Sequence, residues 1–366
     1  MLLIIVGAGA SYDSDWRRPA DRGPLPINPT WGRLGLAFRP PLAKDLFDED
    51  RYGEFVARYP PSQGLMDQLR AAAPAVEQEL ERIRDLSKRQ KHLPRQLLAV
   101  RYYLRDVVAQ TTRQWNKAKP DEMTNFTRLM TRLEPWRQQR AREQGAQERV
   151  AIVTFNYDTL FEDALTNFLP AFRLNVVEDY TSDPRYQLFK LHGSVNWWRE
   201  AQCDWSPSGG TTDPAGWAPT MFDPPAPFYE NGEFRVGAGA YLPCVPCLAL
   251  PTATKGVADF ACPEAHLADL KLLLPQVTDV LIIGWKGIEG HFLGEWRLVQ
   301  ASKRDPTIRS VTVVDATHEA ASEIAYRVVS TVGITPQTAP TFETFSGFVV
   351  DKLDGYLQDT LSAPAV

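Results

Sequence analysis

The 366-residue sequence predicts an α/β fold: a doubly wound parallel sheet with a helical insertion and a small irregular subdomain. Three observations predict it. The chain opens on an unbroken apolar run, Met1-Leu2-Leu3-Ile4-Ile5-Val6, of the kind required by a strand covered on both faces. That run ends in Gly7-Ala8-Gly9-Ala10-Ser11, a turn tight enough to bring backbone amides close to an anion. From residue 150 onward, short β-branched runs alternate with segments of helical period, the pattern of βαβ units.

The totals narrow the class. Hydrophobic content of 44% and charged content of 23% belong to an ordinary folded domain, and 366 residues can bury a sizeable core. No apolar stretch is long enough to cross a membrane, and the opening strand has no basic segment of a signal peptide, so a cytoplasmic location without membrane attachment is expected. A net charge of −5 argues against a dedicated nucleic-acid binder. The charge is uneven, however, with eleven Lys and Arg against two acids between Arg82 and Lys119. This stretch reads as a solvated helix face, as a docking surface for nucleic acid or an acidic partner, or as a means of attracting an anionic substrate.

Taken in order, the first strand and Gly-rich turn lead into a Pro- and Gly-rich stretch reaching about residue 40, whose position favours a lid over the site. Leu42 to Phe47 reads as a short helix. Apolar residues at spacings of three and four, such as Leu65, Leu69, Val76, Leu80, Ile83 and Leu86, predict a helical insertion over 63–149. The second strand, Val150 to Phe155, delivers Asn156-Tyr157-Asp158 and an amphipathic helix. A third, Gln187 to Leu191, delivers His192-Gly193-Ser194. Residues 199–250, rich in Pro, Gly and Trp, form the small irregular subdomain. Then follow a helix over 263–274, a strand over 279–285 ending in Gly284-Trp285, a helix over 290–301, a strand over 310–315 and a helix over 318–329. The Rossmann-like core therefore comprises 1–62 and 150–330, with 331–366 a C-terminal tail. Ligands of open α/β sheets bind outside the carboxyl ends of the strands, so the polar motifs should converge there.

With these motifs in order, the chain resembles the sirtuin-like NAD-binding superfamily, and most closely its divergent branch of bacterial anti-phage defence NAD hydrolases. The resemblance rests on Gly7-Ala8-Gly9-Ala10-Ser11, Thr154-Phe155-Asn156-Tyr157-Asp158, Leu191-His192-Gly193-Ser194 and Ile283-Gly284, and spans about residues 1–330. Two features depart from the deacylases of that superfamily. Phe155 and Tyr157 stand where they carry Gln and Ile, and only Cys244 and Cys247 form a Cys-x-x-Cys pair, with Cys203 and Cys262 isolated. A structural zinc needs four ligands, so no metal is expected. The segment Ala249 to Lys255 replaces the deacylases' peptide-pairing sequence.

The resemblance implies NAD as substrate and cleavage of its nicotinamide–ribose bond. It makes His192 the base and Asn156 the group that fixes ribose and water, while a structural His and a strand-to-helix cap are the competing readings. Gly7, Ala8, Gly9, Ala10 and Ser11 would hold the pyrophosphate. Asp158 would accept from the nicotinamide amide, Gly284 would admit the adenosine and Asp315 would bind the adenine ribose. Arg17 and Arg18 would clamp phosphate from the lid, and Trp197 and Trp198 would wall the pocket or pack in the core. A depleting enzyme must be silent until triggered. The resemblance therefore implies a homo-oligomer or a protein partner, such as a hexameric HerA-type translocase ATPase or a short Argonaute, with nucleic acid engaged through the partner. A deacylase, an ADP-ribosyltransferase and a silent NAD or ADP-ribose-binding module are the alternatives.

Overall fold

Leu2, Ile4 and Val6 point into one apolar cluster and Leu3 and Ile5 into another, which is why the opening run has no polar residue. Full burial of each such side chain stabilises the fold by roughly 1.5–3 kcal/mol. The computed structural model describes residues 1–15, 39–118, 123–144, 148–169, 171–200, 220–221, 228–230, 233–235, 244–253, 260–302 and 308–360.

In chain order the elements begin with β1 (Leu2–Val6) and the short helix α1 (Ala8–Tyr12). Helices α2 (Glu49–Val56), α3 (Gln63–Ala71), α4 (Val76–Ser87), α5 (Leu93–Ala118) and α6 (Asn125–Gln144) follow. Next come β2 (Val150–Thr154), α7 (Leu160–Phe168), α8 (Asp179–Ser182), β3 (Tyr186–Lys190) and β4 (Gly193–Glu200). Short strands β5 (Thr220–Met221), β6 (Phe228–Glu230), β7 (Glu233–Arg235) and β8 (Cys244–Leu248) precede α9 (Glu264–Leu273). The chain closes with β9 (Asp279–Ile283), α10 (Gly290–Ala301), β10 (Ser310–Asp315), α11 (His318–Val332), β11 (Thr341–Glu343) and helical turns over 345–360.

Six strands form one parallel sheet in the order β11-β10-β9-β1-β2-β3. Counted along the chain within this sheet, the order is 3-2-1-4-5-6, so the winding reverses between β1 and β9 and opens the crevice where such folds bind ligands. The register aligns the exits: Val6 lies opposite Thr154 and Ile283, Thr154 opposite Lys190 and Ile283 opposite Val314. Gly7, Phe155, Leu191, Gly284 and Asp315 therefore leave the sheet at one level. The expected α/β class and the convergence of the motifs at the carboxyl edge both hold.

One sheet face packs against α6, α7 and the C-terminal turns, and the other against α9, α10 and α11. The inserted helices have their own core, in which Val100, Tyr103, Leu104 and Val107 of α5 meet Leu69, Leu80 and Ile83. Val195, Trp198 and Leu250 join that core, so the insertion is fastened beside the third motif. Helix begins at Glu49, before the expected boundary at residue 63, and Leu42 to Phe47 contains only a 3-10 turn, Ala43–Asp45.

Two regions differ from the sequence reading. Residues 193–200 form a strand antiparallel to β8, with Gly193 opposite Leu248. Gly193 has φ +80°, and a Cβ there would lie 1.8 Å from Cys247 O, so the His-Gly pair has a steric reason for its glycine. Of the expected tail over 331–366, residues 361–366 lie outside the described residues, and the part before them joins the core: β11 extends the sheet, and Phe345, Phe348, Val349, Leu353, Tyr356 and Leu357 bury an apolar face. Ser346 ties this segment back to the start of the chain, its amide donating to Asp13 Oδ2 over 3.0 Å. Most of 199–250 lies outside the described residues, with β6 and β7 pairing there as a two-stranded ribbon.

Candidate functional site at the switch point

The turns after β1 and β9 interlock. Gly7 N donates to Ile283 O, Gly9 N to Gly284 O and Ala10 N to Gly7 O, each over 3.0 Å. Gly284 has φ +59°, and a Cβ there would come within 2.1 Å of Ala10 N, while one on Gly7 would come within 2.4 Å of Gly284 O. Chain backbone thus fills the space these glycines leave. The amides of Gly7, Gly9 and Ala10 are taken by chain carbonyls, and the room at Gly284 is occupied by Gly9 and Ala10. Of the turn's residues, Ala8 is exposed and Ser11 is buried.

Asn156 is the residue that gathers the first two motifs. Its Nδ2 donates to Gly7 O over 2.9 Å and to Ser11 Oγ over 2.8 Å. Its own backbone amide donates to Thr154 Oγ1 over 3.1 Å, which fixes the turn off β2. Asn156 is 8% exposed, and its Oδ1 finds no hydrogen-bond partner among the described residues. A buried acceptor left unpaired costs about 1–3 kcal/mol. That acceptor is available to a ligand hydroxyl or a water.

Asp158 lies two residues before α7, whose N-cap is Thr159. Its Oδ1 accepts from Leu160 N over 3.1 Å, an Asx turn that leads the chain into the helix. Below it, Lys190 at the end of β3 donates to the Asp158 carbonyl and, over 2.6 Å, to Glu162 Oε1. Lys190 and Glu162 are both buried, and burial lifts the Glu162 carboxyl above the usual range despite the lysine. The ammonium therefore holds the Asn156-Tyr157-Asp158 turn from beneath.

His192 follows Lys190 by two residues and is 1% exposed. Phe155 packs on its ring at 4.9 Å between centroids. Phe155 in turn stacks on Trp285 at 5.2 Å, so the two rings build an apolar wall beside the histidine. His291 lies nearly parallel to His192, 5.6 Å away, and Phe155 also meets it edge-on at 6.4 Å. His291 escapes sequence reasoning because it reads as one polar position of the amphipathic helix over 290–301. Its place in the first turn after a strand exit was the available signal.

The remaining expectations resolve by position. Asp315 lies at the edge one strand beyond Gly284, with Oδ1 accepting from Ala316 N over 2.7 Å and burial raising its carboxyl. Trp197 and Trp198 pack in two different cores, Trp197 against Tyr180 and Trp198 against Tyr102, so neither walls the site. Arg17, Arg18 and Cys203 lie outside the described residues. Cys247 donates to Ala261 O, and burial pushes Cys262 up to about 12. Among the described residues no cluster of three His, Cys, Asp or Glu side chains is placed to hold a metal, and no helix is long and apolar enough to cross a membrane.

Fold and site together define a doubly wound α/β protein with a buried Asn156 and a buried His192 at the carboxyl edge of its parallel sheet. Within it, the family model of the SIR2-like domain matches residues 150–203, which contain both Asn156 and His192. No curated protein matches the chain. Among solved structures, a triple mutant described as a Sir2 homologue in complex with 2′-O-acetyl ADP-ribose is 14% identical, with 100% of this chain and 94% of that chain covered and a TM-score of 0.36. A complex of Sir2 with a p53 peptide and NAD+ is 13% identical, with 99% and 94% covered and a TM-score of 0.30.

Proposed function

We propose that the protein is an NAD+ hydrolase that cleaves the nicotinamide–ribose bond to nicotinamide and ADP-ribose. The observation that carries this reading is Asn156, pinned through Nδ2 by two other strand-exit atoms while its buried Oδ1 is left for a ligand. The SIR2-like match over 150–203 supports it.

In this mechanism NAD lies across the switch point with its ribose at Asn156. The C–N bond breaks through a state with positive charge on the ribose, and the bonding pair leaves with nicotinamide. Asn156 Oδ1 accepts from water or a ribose hydroxyl, which fixes the attacking oxygen and adds negative potential where charge develops. Water oxygen bonds to the ribose carbon, and its proton passes to His192. Asp158 and Ser11 act as positioning groups, the first through the turn and the second through Asn156.

A deacylase would need an extended peptide beside the residues after β8. Ala249 N donates to His192 O over 3.0 Å and Ala249 O accepts from Tyr157 Oη over 2.7 Å, so the backbone at that edge is engaged within the chain. This favours water over acyl-lysine as the acceptor.

The resemblance noted in the sequence supports a setting in anti-phage defence, with depletion of NAD on activation by assembly or by a partner of the HerA-type ATPase or short Argonaute kind. The exposed Arg89 and Lys91 after α4 belong to the proposed contact surface, whereas Arg82 and Lys88 are paired with Glu79 and Asp85. Incubation of the protein with NAD, alone and with its candidate partner and nucleic acid, tests the reading. Release of nicotinamide and ADP-ribose in equal amounts is expected, and intact NAD under every condition would refute it.

A further inference from the structure

His291 comes from the first turn of α10 and His192 from the exit of β3, so their stack bridges the two sides of the site. The rings are 5.6 Å apart and inclined by 12°. Phe260 covers His291 at 4.4 Å and Phe155 covers His192 at 4.9 Å, and both histidines are buried. Two imidazoles face to face in such a box resist carrying two protons. At this separation and an effective dielectric constant of about 20, one positive ring shifts the titration of the other by up to about two pH units. The rings then titrate as a pair.

We propose that His291 is a positioning residue for His192, fixing the plane of its ring and keeping it in the neutral, proton-accepting form near neutral pH. The inference rests on reading His192 as the base of the proposed hydrolase. Tyr157 gives its hydroxyl to Ala249 O, and Glu289 accepts from Trp285 Nε1. Lys190 is turned to the Asp158 carbonyl and Glu162. The amino end of α10 adds positive potential that disfavours a proton on either ring, and Glu289 opposes it in part.

Two variants separate ring face from ring charge. His291→Ala removes both, whereas His291→Phe keeps an aromatic face and removes the titrating nitrogens. Nicotinamide release is followed against pH for each, and His192 is titrated by NMR in parallel. His291→Ala is expected to lower kcat roughly tenfold or more with KM changed less than about twofold. His291→Phe recovers most of that rate, and its acid limb and His192 midpoint both rise by about one pH unit. A His291→Ala protein with unchanged melting, unchanged kcat and an unmoved His192 midpoint overturns the proposal. If the unsubstituted protein releases no nicotinamide, the hydrolase reading fails separately. The NMR titration of His291→Phe then still decides the pairing: a raised His192 midpoint supports it and an unchanged one overturns it.

Discussion

Asn156 donates its carboxamide to Ser11 Oγ over 2.8 Å, joining residues 145 apart in sequence at the exits of two neighbouring strands. The same nitrogen holds Gly7 O, so the free Oδ1 points where the side chain is forced to put it. Orientation of the ligand-facing atom therefore depends on the donor at the other end of the amide.

Asn156→Asp tests that dependence. The variant keeps the size of the side chain but sets a carboxylate against the Gly7 carbonyl. Nicotinamide release is expected to fall by about a hundredfold or more. Urea unfolding should show a loss of about 1–3 kcal/mol.

Gly284→Ala addresses the interlocked turns. A methyl group would meet Ala10 N at 2.1 Å, in a backbone conformation with φ +59°. The expected cost is about 2–4 kcal/mol in chemical denaturation, with loss of NAD binding as the turn after β1 shifts.

Lys190→Met leaves Glu162 buried without its cation and the Asp158 carbonyl without its donor. Removing one partner of a buried pair costs about 3–5 kcal/mol. Adding Glu162→Leu should recover a large part of the stability, measured by thermal melting, without restoring activity, because the Asp158 turn still lacks its ammonium.

Asp163 makes stability depend on pH. Burial, with Glu162 adding to it, pushes its carboxyl up to about 7 from the ordinary 3.8. The folded chain thus holds a proton that the unfolded chain releases between these values, and stability contributed by the neutral form is lost as pH rises through about 7. Asp163→Asn should flatten the decline between about pH 4 and 7 and raise stability at pH 8, as read from unfolding midpoints.

The sheet was legible in the sequence because strands buried on both faces must be mainly apolar: β1 is so throughout, and β2, β9 and β10 keep β-branched or Leu residues at most positions, with Thr154, Asp279, Ser310 and Asp315 at their ends and Thr312 inside β10. The four motifs were legible because each follows such a strand, and register alone brings Gly7, Phe155, Leu191 and Gly284 to one edge. Long-range pairing was not. β11 is only three residues long and shows no periodicity of its own, so its place beside β10 could not be read. His291 reads locally as one polar residue of a helix, and only the fold puts it on His192. The roles of the glycines also required the structure, since the neighbour they accommodate is the other glycine turn.

In the proposed reaction His192 removes the proton from the water that attacks NAD. The most direct measurement compares the unsubstituted protein with His192→Gln for NAD binding by calorimetry and for nicotinamide release, under the condition that activates the former. Binding within about threefold and a loss of turnover of at least about a hundredfold are expected in His192→Gln. Equal turnover by the two proteins, or binding of NAD by the unsubstituted protein with no cleavage under any condition, would contradict it.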